Sequence, residues 1–316
     1  MTDRIQGIHH VTAMSSDAQS NVNFYSGVVG LRLVKVTINY DDPSTYHLYY
    51  GDPQGYPGTL LTFFPWPQSP HGTIGAGQAT TMSFAIPKDS LNYWINRLSE
   101  NKIPFNQIEK FGNPTLQFQD HDGFQLELVE SIQTPKPATA WDNTPAEVAI
   151  HGFHGVQIAS LRPQSTQKLL TETMGYQLTA TENNIELYTS PAEIGNTVEL
   201  NLNPSPNGRM GSGIVHHVAF RAEDDEDHAQ WREKFIAAGM RPTEFIDRNY
   251  FHSIYFREPG GVLYEIATDP PGMTYNESFE SLGTTLVLPP WLEPHRAEVA
   301  ANLPKFTSLT GATFPN

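Results

Sequence analysis

Short runs of alternating apolar and polar residues recur along the chain, and each set of runs is interrupted once by a stretch of helical spacing. In the first set the period-2 runs fall at 9–14, 31–38, 46–50 and 59–64. The helical stretch spans 17–29, with Val22, Phe24, Tyr25 and Val28 as its apolar stripe and Gly30 as a stop signal. The second set predicts strands at 81–86, 103–109, 115–119 and 124–129 with a helix at 91–100. The third predicts strands at 153–159, 176–180, 186–188 and 198–202 with a helix at 164–174. The fourth predicts strands at 214–222, 241–246, 251–256 and 262–267 with a helix at 225–238. One strand, one helix and three strands, repeated four times, make an α+β chain of four βαβββ modules. Residues 131–149 are rich in proline, alanine and threonine and lack a period, so they read as a linker. The expected division is a two-module N-terminal domain, 1–130, and a two-module C-terminal domain, 150–268. Prolines crowd the remainder, which reads as an irregular extension, 269–316, packed over the body.

Composition removes several functions. The formal charge of −15, from 19 basic and 34 acidic residues, argues against nucleic acid or an anionic membrane surface as partner. The chain has no cysteine, which excludes disulfides, thiolate nucleophiles and cysteine metal sites. Residues 1–7 lack a signal-peptide core, and no apolar run approaches the roughly 20 residues of a membrane span. A cytoplasmic protein is the expectation.

The candidate chemistry lies in two His-His pairs. Ile8-His9-His10-Val11 opens module one, and Val215-His216-His217-Val218 opens module four. When the modules are aligned, the His217 slot holds His10, Thr81 and Gly155 in the other three. The Glu265 slot holds Thr62, Glu127 and Asn201. Pairing module one with module four gathers His10, His217 and Glu265. Two imidazoles with one carboxylate suit a ferrous centre that keeps open positions. Glu127 stands alone in its slot set, so a second metal is not expected.

The stretches GIHHVTA, NVNFYSGVVGLRLVKVTINYDD, TYHLYYGD, PGTLLTFFPW, GIVHHVAF, DRNYFHSIYFREPGGVLYEIATD and SLGTTLVLP are similar to hydroquinone-type ring-cleaving dioxygenases. These resemble one another within the vicinal oxygen chelate (glyoxalase, bleomycin resistance, extradiol dioxygenase) superfamily. The resemblance covers nearly the whole chain and implies a metal site shared by modules one and four. It implies Fe(II) on His10, His217 and Glu265, with zinc, nickel or manganese as substitutes, and a small aromatic substrate and O2 as partners. It further implies that Tyr255 faces the cavity and hydrogen-bonds substrate or oxygen. Arg248 would stabilise charge on the ring oxygens, while His9, Thr12 and His216 orient ligands or move protons.

The residues alone leave more open. Strand alternation turns His9 and His216 away from the ligand face. Tyr255 could instead be a packing ring and Arg248 an ion-pair partner of Asp247. His47, His151, His154 and His252 are selected by no spacing and read as structural. A glyoxalase-like isomerase or lyase would need a carboxylate where Thr62 stands, and a non-catalytic quinone or drug binder would keep the same fold. Hydroquinone against catechol, the ring substituents and homo-oligomerisation stay open.

Overall fold

A computed structural model describes residues 4–67, 69–131 and 140–316, so residues 132–139 of the expected 131–149 linker lie outside the described residues. Module one comprises β1 (Ile8–Ser15), α1 (Ala18–Val22), β2 (Arg32–Asn39), β3 (Asp42–Gly51) and β4 (Leu60–Pro65). Module two comprises β5 (Gln78–Ile86), α2 (Leu91–Glu100), β6 (Phe105–Lys110), β7 (Asn113–Gln119) and β8 (Gln125–Glu130). Module three comprises β9 (Gly152–Ala159), α3 (Pro163–Lys168), β10 (Gln177–Glu182), β11 (Ile185–Thr189) and β12 (Thr197–Asn201). Module four comprises β13 (Val215–Ala222), α4 (Asp225–Ala237), β14 (Ile246–Asp247), β15 (Phe251–Arg257) and β16 (Leu263–Pro271).

Local chemistry explains the helix ends. The Asp17 carboxylate caps α1 by accepting from Ser20 N at 2.6 Å, and Asp224 caps α4 through Asp227 N at 2.9 Å. Helices α1 and α3 each widen into a π-helical turn, Asn23–Val28 and Leu169–Thr173. Gly30 and Gly175 then reverse the chain at φ +78° and +76°, where a side chain would be strained. The strand expected over 241–246 shrinks to Ile246–Asp247. Pro242 has no N–H to give a ladder, and only Thr243 reaches across, its N–H donating to Tyr255 O at 2.9 Å.

The strands form two eight-stranded sheets, β14-β15-β16-β13-β1-β4-β3-β2 and β10-β11-β12-β9-β5-β8-β7-β6. Modules one and four share the first sheet, and modules two and three share the second. The division at 131–149 therefore does not delimit the sheets, which both cross it. Within each module the first strand runs parallel to the last, as in β1 with β4 and β13 with β16. The two first strands meet antiparallel at the sheet centre, β1 with β13 and β5 with β9. Each sheet is thus two-fold repeated about its middle.

The extension after β16 carries α5 (Arg296–Asn302) and a small hairpin, β17 (Phe306–Thr307) with β18 (Thr313–Phe314). It is less irregular than its prolines suggest. Leu286, Leu288, Val299, Leu303, Phe306 and Phe314 are buried against the body, and the buried Lys35 ammonium on β2 pairs with Glu277. Among the described residues no helix is long and apolar enough to cross a membrane.

Candidate metal centre

His10 on β1, His217 on β13 and Glu265 on β16 meet at the centre of the first sheet, all buried. His10 Nε2 and His217 Nε2 are 3.2 Å apart, and Glu265 Oε2 lies 3.2 Å from the former and 2.9 Å from the latter. Despite that proximity, Glu265 Oε2 has no aligned hydrogen-bond donor. Its other oxygen accepts from Ser253 Oγ at 2.5 Å. A buried carboxylate oxygen facing two ring nitrogens would be costly without a cation between them. Ligands about 2.1 Å from a metal at right angles stand about 3.0 Å from one another, whereas tetrahedral ligands stand about 3.4 Å apart. The observed triangle, 2.9–3.2 Å on a side, is of the size that three ligands of one small cation would span.

The hydrogen bonds behind His10 fix its tautomer. His9 Nε2 lies 3.1 Å from the Thr268 carbonyl, which can only accept, so His9 Nε2 carries a proton. The neutral His9 ring then accepts at Nδ1 from His10 Nδ1–H, 2.9 Å away. This leaves a lone pair on His10 Nε2, aimed at the centre. His217 Nδ1 meets His216 Nδ1 at 2.8 Å in the same way. With the His217 Nε2 lone pair also facing the centre, His216 accepts and holds its own proton on Nε2.

Burial disfavours charge on His9, His216 and His217. Burial lowers His9 well below the usual imidazole value and lowers His217 too, against the pull of Glu265. Burial likewise takes His216 down to about 3. It would push the Glu265 carboxyl up, and only positive charge on the side where His10 and His217 face it holds Glu265 well below the ordinary range. With the tautomers set by the hydrogen bonds behind the rings, the cradle offers one carboxylate and two ring nitrogens, and a bound cation would supply the positive charge that Glu265 faces.

Alternation along a strand had turned His9 and His216 away from the ligands. The β1–β13 ladder breaks that rule at both places. Register shifts fall between Ile8 and His10 on β1 and beside His216 on β13, where Thr12 opposes His217 but Ala13 opposes Val215. Each preceding histidine is the extra residue of a bulge, which re-aims its side chain toward its neighbour's ring.

A cavity of about 260 Å³ opens on the triad, with His47, Tyr49, Phe64, His216, Arg248, Phe251 and Tyr255 in its wall. Its size is at the low end for ligand pockets and suits a single ring. Arg248 Nε donates to the Tyr255 hydroxyl at 3.1 Å, and its Nη2 pairs with Asp41 of module one at 3.1 Å, not with Asp247. Burial raises the Tyr255 phenol above its ordinary value, so it stays protonated. Thr12, across the ladder from His217, is not in the cavity wall, and its hydroxyl bonds Thr62 at 2.7 Å. His47, which no spacing had selected, faces this cavity and bonds Thr62 and Tyr49. His151, His154 and His252 lie outside the cavity wall.

The second sheet corrects one alignment. Glu265 lies opposite Ala219, two residues after His217. The matching pairs in the second sheet are Ser83 with Glu127 and Gln157 with Glu199. Glu199, not Asn201, fills the fourth slot. Lys110 Nζ sits between these carboxylates, 2.9 Å from both oxygens of Glu127 and 2.7 Å from Glu199 Oε2. An ammonium group thus occupies the place that corresponds to the triad's centre. One further group of close potential ligands is described, Asp120, His121 and Asp122. There Ser15 and Ser16 already donate to Asp122 and Tyr25 to Asp120.

Comparison with known proteins agrees with this geometry. Residues 7–128 and 153–266 match the glyoxalase/bleomycin resistance protein/dioxygenase superfamily. The chain is 44% identical over 306 residues to a Bacillus subtilis protein provisionally named ring-cleaving dioxygenase MhqO, covering 97% of this chain and 98% of that one. It is 34% identical to the chlorohydroquinone/hydroquinone 1,2-dioxygenase of Sphingobium indicum, covering 95% and 96%. A crystal structure of a provisionally named Bacillus subtilis dioxygenase superposes with a TM-score of 0.93 at 44% identity, covering 96% of this chain and 98% of that one. Glyoxalase I from Zea mays shares the fold at a TM-score of 0.60 and 14% identity, covering 83% and 92%.

Proposed function

The chain belongs to the glyoxalase/bleomycin resistance protein/dioxygenase superfamily, and from that premise we propose that it opens a hydroquinone or catechol ring with dioxygen, in the extradiol manner, at Fe(II) held by His10, His217 and Glu265. The observation that carries this reading is the triangle of two bare ring nitrogens and an orphaned carboxylate oxygen. Bound there, a ferrous ion supplies open positions and one-electron chemistry to ring and dioxygen.

The surrounding side chains are suited to a phenolic ring. Arg248 donates to the Tyr255 oxygen, which leaves the Tyr255 proton to hydrogen-bond a substrate oxygen. The same guanidinium favours the phenolate over the phenol and stabilises charge that develops on the ring oxygens. His216, whose Nδ1 is engaged with His217, also stands in the cavity wall, and its remaining ring nitrogen is free to serve as a second donor. Phe64, Phe251 and Leu263 give the wall its apolar area and exclude water. His9 keeps His10 in the tautomer that binds a cation, and Thr12 helps hold the Thr62 side of the floor. A glyoxalase-like isomerase needs a carboxylate base where Thr62 stands, and that hydroxyl is committed to Thr12 and His47.

Protein purified without oxygen should hold one metal per chain and, loaded with ferrous iron, consume oxygen on hydroquinone or catechol. His10→Ala should lose both properties. No uptake on any such ring removes the oxygenase reading, and unchanged metal content in His10→Ala removes the ligand assignment.

A further inference from the structure

The two-fold repeat of the first sheet extends beyond the ligands. Glu265 pairs across strands with Tyr255 and accepts from Ser253, two residues earlier on β15. Thr62, in the matching place on β4, pairs with Tyr49 and is bonded by His47, two residues earlier on β3. Tyr49 is the counterpart of Tyr255, and both line the cavity above the triad.

Their hydroxyls are wired differently. Tyr255 is fixed from outside by Arg248, a pure donor. Tyr49 Oη lies 2.9 Å from His47 Nδ1, His47 Nε2 lies 2.8 Å from Thr62 Oγ1, and Thr62 Oγ1 lies 2.7 Å from Thr12 Oγ1. Every group in this chain both donates and accepts, so it can run in either direction with all members neutral. Run inward, Tyr49 donates to His47 and keeps a lone pair for the cavity. Run outward, His47 donates to Tyr49, whose proton turns to the cavity. The His9 relay cannot do this, because the Thr268 carbonyl fixes its sense. Burial keeps His47 neutral, as both directions require.

We propose that Tyr49, positioned by His47, is a second contact for a phenolic oxygen of the substrate, accepting from the neutral phenol and donating to the phenolate. This rests on the cavity being a phenol site, as argued above. No net proton passes from substrate to protein in this scheme; the hydroxyls rotate, and His47 exchanges tautomer by releasing the proton of one ring nitrogen to solvent and taking one up on the other. Each direction gives the Tyr49 hydroxyl two partners, and linked hydrogen bonds reinforce one another.

The test uses 4-nitrophenol, whose absorbance separates its neutral and ionised forms, titrated into full-length protein with and without zinc. Tyr49→Phe should weaken the neutral form roughly fivefold and the phenolate about tenfold or more, with metal content and circular dichroism unchanged. His47→Leu should repeat most of that loss, and His47→Gln, which keeps a donor and an acceptor, should recover part of it. Wild-type affinity in Tyr49→Phe, or loss of one form alone, overturns the proposal. Should Tyr49→Phe not fold, equal binding by His47→Leu and His47→Gln overturns it instead. Oxygen uptake plays no part in this readout. A protein that binds the phenol through Tyr49 but cleaves no ring would sink the dioxygenase reading and leave this one standing.

Discussion

At the scale of single residues, the two histidines that precede the ligands are chemically unequal. His9 is spent at both nitrogens, one on His10 and one on the Thr268 carbonyl. His216 is spent at one nitrogen, on His217, and the residue lines the cavity. Removing His9 releases the His10 ring and takes a donor from the buried Thr268 carbonyl. His9→Ala should therefore weaken metal binding about 10–100-fold, read by competition with a chelator. His216→Ala should retain metal more closely and lose turnover. Equal metal affinities in the two variants would contradict the relay. Neither bulge has a signature in the amino acids, since register is set by which strands pair, not by either strand alone. A reading of β1 by itself could only turn His9 away.

Elements tell which features belong to the module and which to the metal. The second sheet has register shifts between Ala79 and Thr81 and beside His154, at the places matching His9 and His216. The paired bulges are thus built into the repeat, and histidines at them make the ligand relay. The strand and helix order was legible because the period changes cleanly from two to helical spacing in every module. His10, His217 and Glu265 were legible because the repeats could be compared slot by slot. The Glu199 slot, Lys110 and His47 were not, because each is defined by what stands across the sheet. Lys110 is now the sharpest case. Burial pulls its ammonium down, but Glu127 and Glu199 outweigh that and raise it. Lys110→Met should cost about 3–5 kcal/mol by stranding buried charge, and adding Glu127→Gln and Glu199→Gln should restore most of it in urea unfolding. A Lys110→Met protein as stable as wild type would deny the carboxylates their charge. The turn between β7 and β8 gives a pH-dependent counterpart, where His121 Nε2 lies 3.1 Å from Asp122 and Ser16 ties Asp122 to the end of β1. Burial lowers His121, but its bond to Asp122 and the charges of Asp120 and Asp122 raise it above the ordinary value. The stability it adds is present below about pH 6.5 and fades as pH rises through the raised folded value. Because His121 is partly exposed, the effect should stay under about 1 kcal/mol. The difference in urea midpoint between wild type and His121→Gln should shrink from pH 6 to pH 8, and a constant difference would rule the clamp out.

For the whole molecule, chain order and spatial order disagree, and the disagreement makes the candidate site. The unpatterned segment near 131–149 suggests two halves, and a domain in the usual sense has its own core and could fold alone. Here each half contributes one module to each sheet. Residues 1–130 hold β1 without β13 and β5 without β9, so both central ladders lack a partner. Such a fragment has one escape, pairing β1 with β5 on the same two-fold pattern. That sheet would bring His10 together with Thr81, Thr62 and Glu127, one imidazole and one carboxylate in place of the triad. It could be folded and still not hold the metal. Residues 150–316 in isolation would pair β9 with β13 and offer His217 and Glu265 beside Gly155. Expressed separately, neither fragment should bind metal with the affinity of the full chain or unfold in one cooperative transition. Co-expressed, they should recover one metal per pair and a single transition. Native-like metal affinity in residues 1–130 alone would mean that the ligands do not come from modules one and four, because His217 and Glu265 are absent from it.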